Sequence, residues 1–234
     1  MTKDMSEFLV VKEISKLFHP DKEVEVLALD AINLVIEQGE FVVISGPSGS
    51  GKTTLLNIIG GLDLPTAGEV ILDGLRLTNL SEKALSQIRR DQIGFIFQAY
   101  NLLPVLTARE NIEYVMKLQG TESKKCTARS LEVAKKLGIE TLLYKLPHQL
   151  SGGQQQRVAV ARAVASTPKL LLADEPTANL DSKTAASLID MMEKLNREEG
   201  VTIIFSSHDP MVIAKARHSV VLKDGKLVSN ICEE

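Results

Sequence analysis

The chain has 234 residues, 44% of them hydrophobic, enough for one substantial core and short for two full domains. Lys and Arg number 27 against 30 Asp and Glu, a net charge of −3, which argues against nucleic acid as the main partner because phosphate backbones are bound by basic surfaces. No apolar run approaches the ~18–20 residues that cross a bilayer, and the opening MTKDMSEFLVVKE lacks a basic stretch followed by a long apolar one, so a soluble, cytoplasmic chain without a secretory leader is expected.

Residues 9–36 are rich in Val, Leu and Ile with partial alternation, Val24, Val26 and Ala28 on one side and Glu23 and Glu25 on the other. That pattern predicts strands of an antiparallel sheet, with a turn at His19-Pro20-Asp21. EFVVIS then reads as a strand running into a glycine-rich turn, and KTTLLNIIGGL as a helix that stops at Gly60-Gly61. Residues 69–72 with Asp73-Gly74 predict a strand and turn, and 94–98 a short buried strand. From 107 to about 146 glycine and β-branched residues thin out, and Leu131, Val133, Ala134 and Leu137 recur at helical spacing, which predicts a mostly helical insertion. A helix after Ser151, a strand at 170–173, a helix at 184–197, a strand at 202–206 and a helix at 210–216 follow. VVLKDGKLVS closes as a hairpin turning near Asp224-Gly225. Alternating strands and helices imply a parallel, doubly wound α/β core, to which the terminal strands add an antiparallel layer. Cys126 and Cys232 lie far apart with no metal-ligand spacing and read as thiols in a reducing compartment.

GPSGSGKT at 46–53 fits G-x-x-x-x-G-K-[ST] at every fixed position, with a strand before and a helix after. A backbone that curls around a polyphosphate with its N–H groups inward needs glycine at the close approaches, here Gly46, Gly49 and Gly51. The helix directs its positive end at the same place. Lys52 reaches β and γ oxygens, and the Thr53 hydroxyl suits Mg²⁺. Gly46, Pro47, Ser48, Gly49, Ser50, Gly51, Lys52, Thr53 and Thr54 form this candidate cradle for a nucleoside triphosphate.

LLLADE ends an apolar strand in two acids. Asp174 at the tip suits Mg²⁺, and Glu175 is placed to orient or deprotonate an attacking water. Adjacent carboxylates after a buried strand are unfavourable without a compensating cation or proton. His208, after another strand in FSSHD, is a candidate γ-phosphate sensor. LSGGQ at 150–154 sets Ser151, Gly152, Gly153 and Gln154 at a helix start, a second anion-binding arrangement in a chain that already holds one.

LSGGQ strongly resembles the signature of ABC ATPases, and the likeness runs from about Leu9 to Val228 in motif order. It implies a P-loop NTPase cassette of α/β class: a mostly parallel core sheet, an antiparallel β subdomain and a helical subdomain at about 100–165, all within a single domain spanning 1–234. It also implies that two chains assemble head to tail around two ATP molecules, the signature of each serving the nucleotide of the other. Gln98 stands where the family's Mg²⁺-contacting glutamine lies. Asp174 and Glu175 match its acidic pair, Asp181 in Asn179-Leu180-Asp181 its dimer-coupling loop, and His208 its switch histidine. Phe18 lies where an aromatic residue, tyrosine in many members, stacks on adenine. ATP and Mg²⁺ are the implied cofactors. Integral membrane permease subunits are the implied partners, holding the chain at the inner face of the membrane. GGLDLPTAGEV, IRRDQIGFIFQAYNLLPVLTARENI and ADEPTANLDS look like the macrolide-exporter and lipoprotein-releasing group, implying export of such a substrate. That likeness includes neither an appended regulatory domain nor a fused membrane domain. The alternative, a soluble ABC ATPase acting on DNA or ribosomes, predicts long coiled-coil insertions or tandem cassettes, and the sequence shows one cassette without sustained heptads. A nucleotide sensor without turnover predicts a missing base, and Glu175 is present.

Overall fold

A computed structural model describes residues 7–21, 24–214, 216 and 218–232; Glu23 and the leader region 1–6 lie outside the described residues. β1 (Glu7–Asp21) and β2 (Val24–Glu37) pair antiparallel along almost their whole length. The turn expected at His19-Pro20-Asp21 is not there: β1 runs through these residues, and Phe18 pairs with Val26 and Asp21 with Val24. Among the described residues β4 (Ala67–Leu72) flanks β1 only as far as Ser15, so Pro20 removes no ladder hydrogen bond from that side. β5 (Leu75–Arg76) completes a four-stranded sheet ordered β2-β1-β4-β5.

The main sheet has six strands. β3 (Phe41–Ser45) is flanked by β8 (Thr202–Ser207) and β9 (His218–Lys223), both parallel to it. β7 (Leu170–Asp174) and β6 (Ile93–Ile96) continue the parallel order beyond β8. The terminal hairpin therefore makes no separate layer: β9 joins the parallel set, and only β10 (Lys226–Cys232) runs antiparallel, at the edge. β9 is apolar at alternate positions, Val220 and Leu222, and those fill the core beside β3.

Both faces of this sheet are buried, which explains continuous apolar runs such as VVI and LLLA. Val42, Ile44, Leu170, Leu172 and Ile204 face one core with β1, β2, β4 and α1 (Lys52–Ile59). Val43, Leu171, Ala173, Ile203 and Phe205 face a second core with the remaining long helices. These are α3 (Ala108–Leu118), α4 (Ser123–Lys136), α5 (Gly152–Ala165) and α6 (Ser182–Glu199). At the far end of α6, Glu199 pairs with Arg129 (3.1 Å) and Lys136 of α4, tying the helical insertion to the sheet layer.

α2 (Glu82–Gln92) was not legible in the sequence. Ser81 caps it, but it buries only Leu85 and Ile88, too narrow a stripe to stand out. α6 starts two residues before the expected 184 because Asp181 caps it, and ends where Gly200 turns left-handed at φ 65°. The helix expected at 210–216 is a single turn, α7 (Pro210–Ile213). Val26 and Leu27 are about half exposed, so the alternation read from β2 does not mark a core face at its start. No helix among the described residues is long and apolar enough to cross a membrane.

Candidate functional site

The candidate residues leave the same end of the parallel strands: the glycine loop after β3, Asp174 and Glu175 at β7, His208 after β8, and Gln98 after β6. In doubly wound sheets this carboxyl end is where loops converge on ligands.

The glycine loop is shaped by its neighbours. Gly46 has φ 148°, and a Cβ there would lie 2.1 Å from the Leu222 carbonyl oxygen in β9. Gly51 has φ 103°, and a Cβ would lie 2.6 Å from the Ala28 carbonyl oxygen in β2. Only glycine fits a backbone held this closely in that conformation. Gly225, in the β9–β10 turn, donates its N–H to the Ser50 carbonyl (3.2 Å) and accepts from Asp30 (2.8 Å). Gly51 opens α1 without a side-chain cap, and its first turn carries no acid. Helix-opening N–H groups lack intrahelical partners, so this end is suited to an anion. The buried Ser50 hydroxyl has no hydrogen-bond partner among the described residues. A phosphate oxygen would satisfy a group that otherwise costs about 1–3 kcal/mol to bury.

Lys52 is 5% exposed, and its ammonium donates to the carbonyls of Gly46 (2.9 Å) and Pro47 (3.0 Å). It also lies 3.5 Å from Glu175 Oε1. The Thr53 hydroxyl donates to Asp174, 3.1 and 2.9 Å from its two carboxylate oxygens. A hydroxyl converging on a carboxylate is a hard, oxygen-only donor set, which fits Mg²⁺. Ser206, which the sequence reading did not single out, organises both acids. Its hydroxyl donates to Asp174 Oδ1 (2.7 Å) and accepts from the Glu175 N–H (2.9 Å). The signal was only its register, since β8 sets Ser206 opposite Asp174. Glu175 has φ 42°, a left-handed conformation rare for this residue. Its second oxygen lies 3.1 Å from His208 Nδ1. Lys52, Glu175 and His208 thus form one contiguous chain of polar contacts.

A cavity of about 650 Å³ opens beside Lys52, Thr53 and Glu175. Val26, Leu27 and Ala28 form an apolar side, Ser48, Gly49 and Gly51 to Thr54 the floor, Gln98 and Glu175 a rim, and Asp224-Gly225 the far wall. Phe18 is not part of this lining: it is 40% exposed with Lys16 Nζ 4.9 Å from its ring centre, although its cross-strand partner Val26 lines the cavity. Gln98 is anchored by its carbonyl, which accepts from the Asn179 side chain (3.0 Å). The next turn, with Tyr100 and Asn101 at positive φ, is held by Arg162 of α5, which donates to both carbonyls (3.0 and 2.5 Å). Burial pulls the Arg162 guanidinium below its ordinary range.

Ser151 to Gln154 do not line this cavity. Ser151 caps α5 in a reciprocal box: its hydroxyl accepts from the Gln154 N–H (3.3 Å), and Gln154 Oε1 accepts from the Ser151 N–H (3.0 Å). A Cβ on Gly152 would lie 2.8 Å from the Tyr100 hydroxyl, and one on Gly153 2.7 Å from Thr184 Cγ2. These glycines therefore let α5 pack beside the start of α6, where Asp181 accepts from the N–H groups of Lys183 (3.1 Å) and Thr184 (3.0 Å). The Thr184 hydroxyl, with those N–H groups, holds the Asp181 carboxyl below its ordinary range.

Comparison with known proteins decides the family. The profile described as ABC transporter matches residues 29–178, spanning the glycine loop, the signature and the acidic pair. This chain belongs to the ABC transporter ATP-binding family. As an ABC ATPase it binds and hydrolyses ATP to power a membrane transporter. A second profile, described as an AAA domain, putative AbiEii toxin, Type IV TA system, matches residues 145–214. The cassette is 46% identical over 224 residues to the uncharacterized ABC transporter ATP-binding protein MJ0796 of Methanocaldococcus jannaschii, covering 93% of this chain and 94% of that one. It is 43% identical over 220 residues to the lipoprotein-releasing system ATP-binding protein LolD 1 of Chlorobium chlorochromatii, covering 94% and 89%. Its fold matches a solved dimer of MJ0796 in a post-hydrolysis state bound to ADP and Pi, with a TM-score of 0.89, 43% identity and coverage of 97% and 99%.

Proposed function

We propose that in this ABC ATPase Glu175 is the general base, Lys52 and the loop from Gly46 to Thr54 hold the triphosphate, and His208 positions Glu175 against the γ-phosphate. The carrying observation is the convergence of Lys52, Thr53 and Glu175 from two separate strands onto one cavity, with Asp174 bonded to the Thr53 hydroxyl beside it. Thr53, Asp174 and Gln98 would hold Mg²⁺, which would supply charge neutralisation at the phosphates. Glu175 would take the proton of the attacking water. Val26 to Ala28 face the base, and Phe18, outside the lining, is not assigned to it.

Ser151 to Gln154 and Asp181 stand outside the cavity of their own chain, which supports a head-to-tail homodimer in which they complete the partner's site. The relatives solved as dimers support the same reading. The segment at about 100–165 serves as the helical subdomain facing a separate permease. A groove of about 330 Å³ between it and the core, with Leu62, Phe97, Tyr114 and Leu118 beside Arg89 and Arg90, suits an amphipathic segment of such a partner. The chain then lies at the cytoplasmic face of the membrane. The likeness to a lipoprotein-releasing protein supports export of a lipoprotein-, macrolide- or peptide-like substrate.

The test is Glu175→Gln protein in gel filtration with light scattering. Mg-ATP is expected to convert monomer to dimer while turnover falls about 10²–10⁴-fold, the usual contribution of general acid–base catalysis. Unchanged turnover refutes the base assignment.

A further inference from the structure

Three side chains that carry metal-ligating atoms meet at the opposite end of the sheet, scattered in sequence and brought together by strand register. His218 opens β9 and pairs with Cys232 of β10 on one side and Val42 of β3 on the other. Glu40 lies immediately before β3. The ligand atoms of Glu40, His218 and Cys232 all fall within 4.8 Å of one another. Cross-strand neighbours on one face are spaced for such joint contacts.

The hydrogen bonding around His218 fixes how it can act. Nε2 lies 2.7 Å from Asn230 Oδ1, an acceptor, so Nε2 carries the hydrogen. Nδ1 then points at Glu40 Oε2, 3.0 Å away. An imidazole lone pair and a carboxylate oxygen at that separation repel unless a cation or a proton lies between them. An imidazole whose second nitrogen donates to a fixed oxygen is the arrangement that orients a metal-ligating histidine. The Glu40 oxygen is itself oriented, since it accepts from the Glu37 N–H (3.1 Å). His218 is buried, Glu40 is half-buried, and Cys232 is exposed, so the cluster has a dry side and an entry side.

We propose that Glu40, His218 and Cys232 bind a borderline-soft divalent cation, Zn²⁺ by its mixed oxygen, nitrogen and sulfur donors. Three protein ligands and a water complete a tetrahedral site for this ion. Asn230 is the positioning residue that holds the imidazole with Nδ1 toward the ion. The site lies at the amino end of β3, remote from the glycine loop at its carboxyl end. It fastens the edge strand β10 to the centre of the sheet. The absence of ligand spacing around the two cysteines in the sequence is no obstacle, because the spacing is supplied by the hairpin.

The test uses the full chain, reduced, stripped of metal and free of nucleotide, titrated with Co²⁺. A near-ultraviolet thiolate-to-cobalt charge-transfer band is expected to grow to saturation at equimolar metal and to be erased by Zn²⁺. Cys232→Ser, a change at an exposed position, abolishes the band, whereas Asp174→Asn at the nucleotide site leaves it intact. Asn230→Ala keeps the band but weakens Zn²⁺ affinity about 10–100-fold, the usual effect of losing an outer-shell partner. Zn²⁺ also raises the Tm of the parent chain and not of Cys232→Ser. A parent chain without the band, or a band that survives Cys232→Ser, overturns the site.

Discussion

Thr53 and Asp174 are 121 residues apart in sequence, and the hydroxyl of one lies 3.1 and 2.9 Å from the two carboxylate oxygens of the other. One follows β3 and the other ends β7, so β8, which separates those strands, sets the span that the hydroxyl bridges. Asp174→Asn removes the charge while preserving the shape. ATP binding without Mg²⁺ is expected to persist, Mg²⁺ no longer to strengthen it, and turnover to fall about 100-fold or more, because metal charge stabilisation is worth several kcal/mol. Calorimetric titration of ATP with and without Mg²⁺ checks this. A Mg²⁺ dependence equal to that of the parent contradicts the pairing.

Gly46→Ala forces a Cβ to within 2.1 Å of the Leu222 carbonyl oxygen. Gly49→Ala meets nothing within 4 Å, and its φ of 79° is the only strain. The second change is expected to cost about 1–2 kcal/mol, the ordinary penalty for a left-handed L-residue. The first costs more and moves β9. Urea unfolding of both variants, with ATP affinity measured alongside, gives the order; equal losses contradict the wall that Leu222 provides.

Glu199 sits between Lys136 and Arg129. The Lys136 hydrogen bond lowers its carboxyl most, burial works against that, and Arg129 adds to the lowering, so the net value falls below the ordinary 4.5. Lys136 is raised above its ordinary 10.5 by the same partner. A lowered acid contributes its stability above the unfolded value and loses it as pH falls through the folded one. A raised base contributes below its unfolded value and loses it as pH rises through the folded one. The pair is therefore fully effective between 4.5 and 10.5. Glu199→Gln is expected to be less stable than the parent at pH 7, with the gap closing as the pH drops below 4.5. Denaturant curves across that range read the gap, and a gap independent of pH refutes the pair.

Ser151→Ala removes the α5 cap and is expected to cost about 1 kcal/mol with nucleotide binding to the monomer intact. Ser151→Arg introduces a bulky cation at the same exposed position and is expected to abolish ATP-driven dimerisation in the Glu175→Gln background. Light scattering separates the two. A dimer that forms in Ser151→Arg removes the trans role of the signature.

Motifs that carry their own local geometry were readable in advance: the glycine loop between strand and helix, the acids at the tip of LLLAD, the Ser151 cap. Those are encoded within about ten residues by rules of capping and close approach. What escaped was encoded by pairing. Ser206 is an unremarkable serine until β8 sets it opposite Asp174. Val26 belongs to an alternating set like that of a core face, yet it and its neighbours Leu27 and Ala28 line the cavity, on a stretch where register shifts interrupt the β1–β2 pairing. The terminal hairpin has the look of a free-standing pair, and only its contact with β3 places it in the main sheet.

Gly46 packs on Leu222, and Ser50 is bridged to Gly225, so the far wall of the glycine loop is made from the last strands. On the ribosome the loop emerges long before that wall exists. At about 5–20 residues per second, roughly 10–30 s separate the synthesis of Thr53 from that of Leu222. During that interval β3 lacks both of its flanking strands, since β8 and β9 are equally late. Nucleotide therefore has no finished pocket to enter while the chain is growing. The pocket that the loop forms with Leu222 and Gly225 is thus a property of the completed chain.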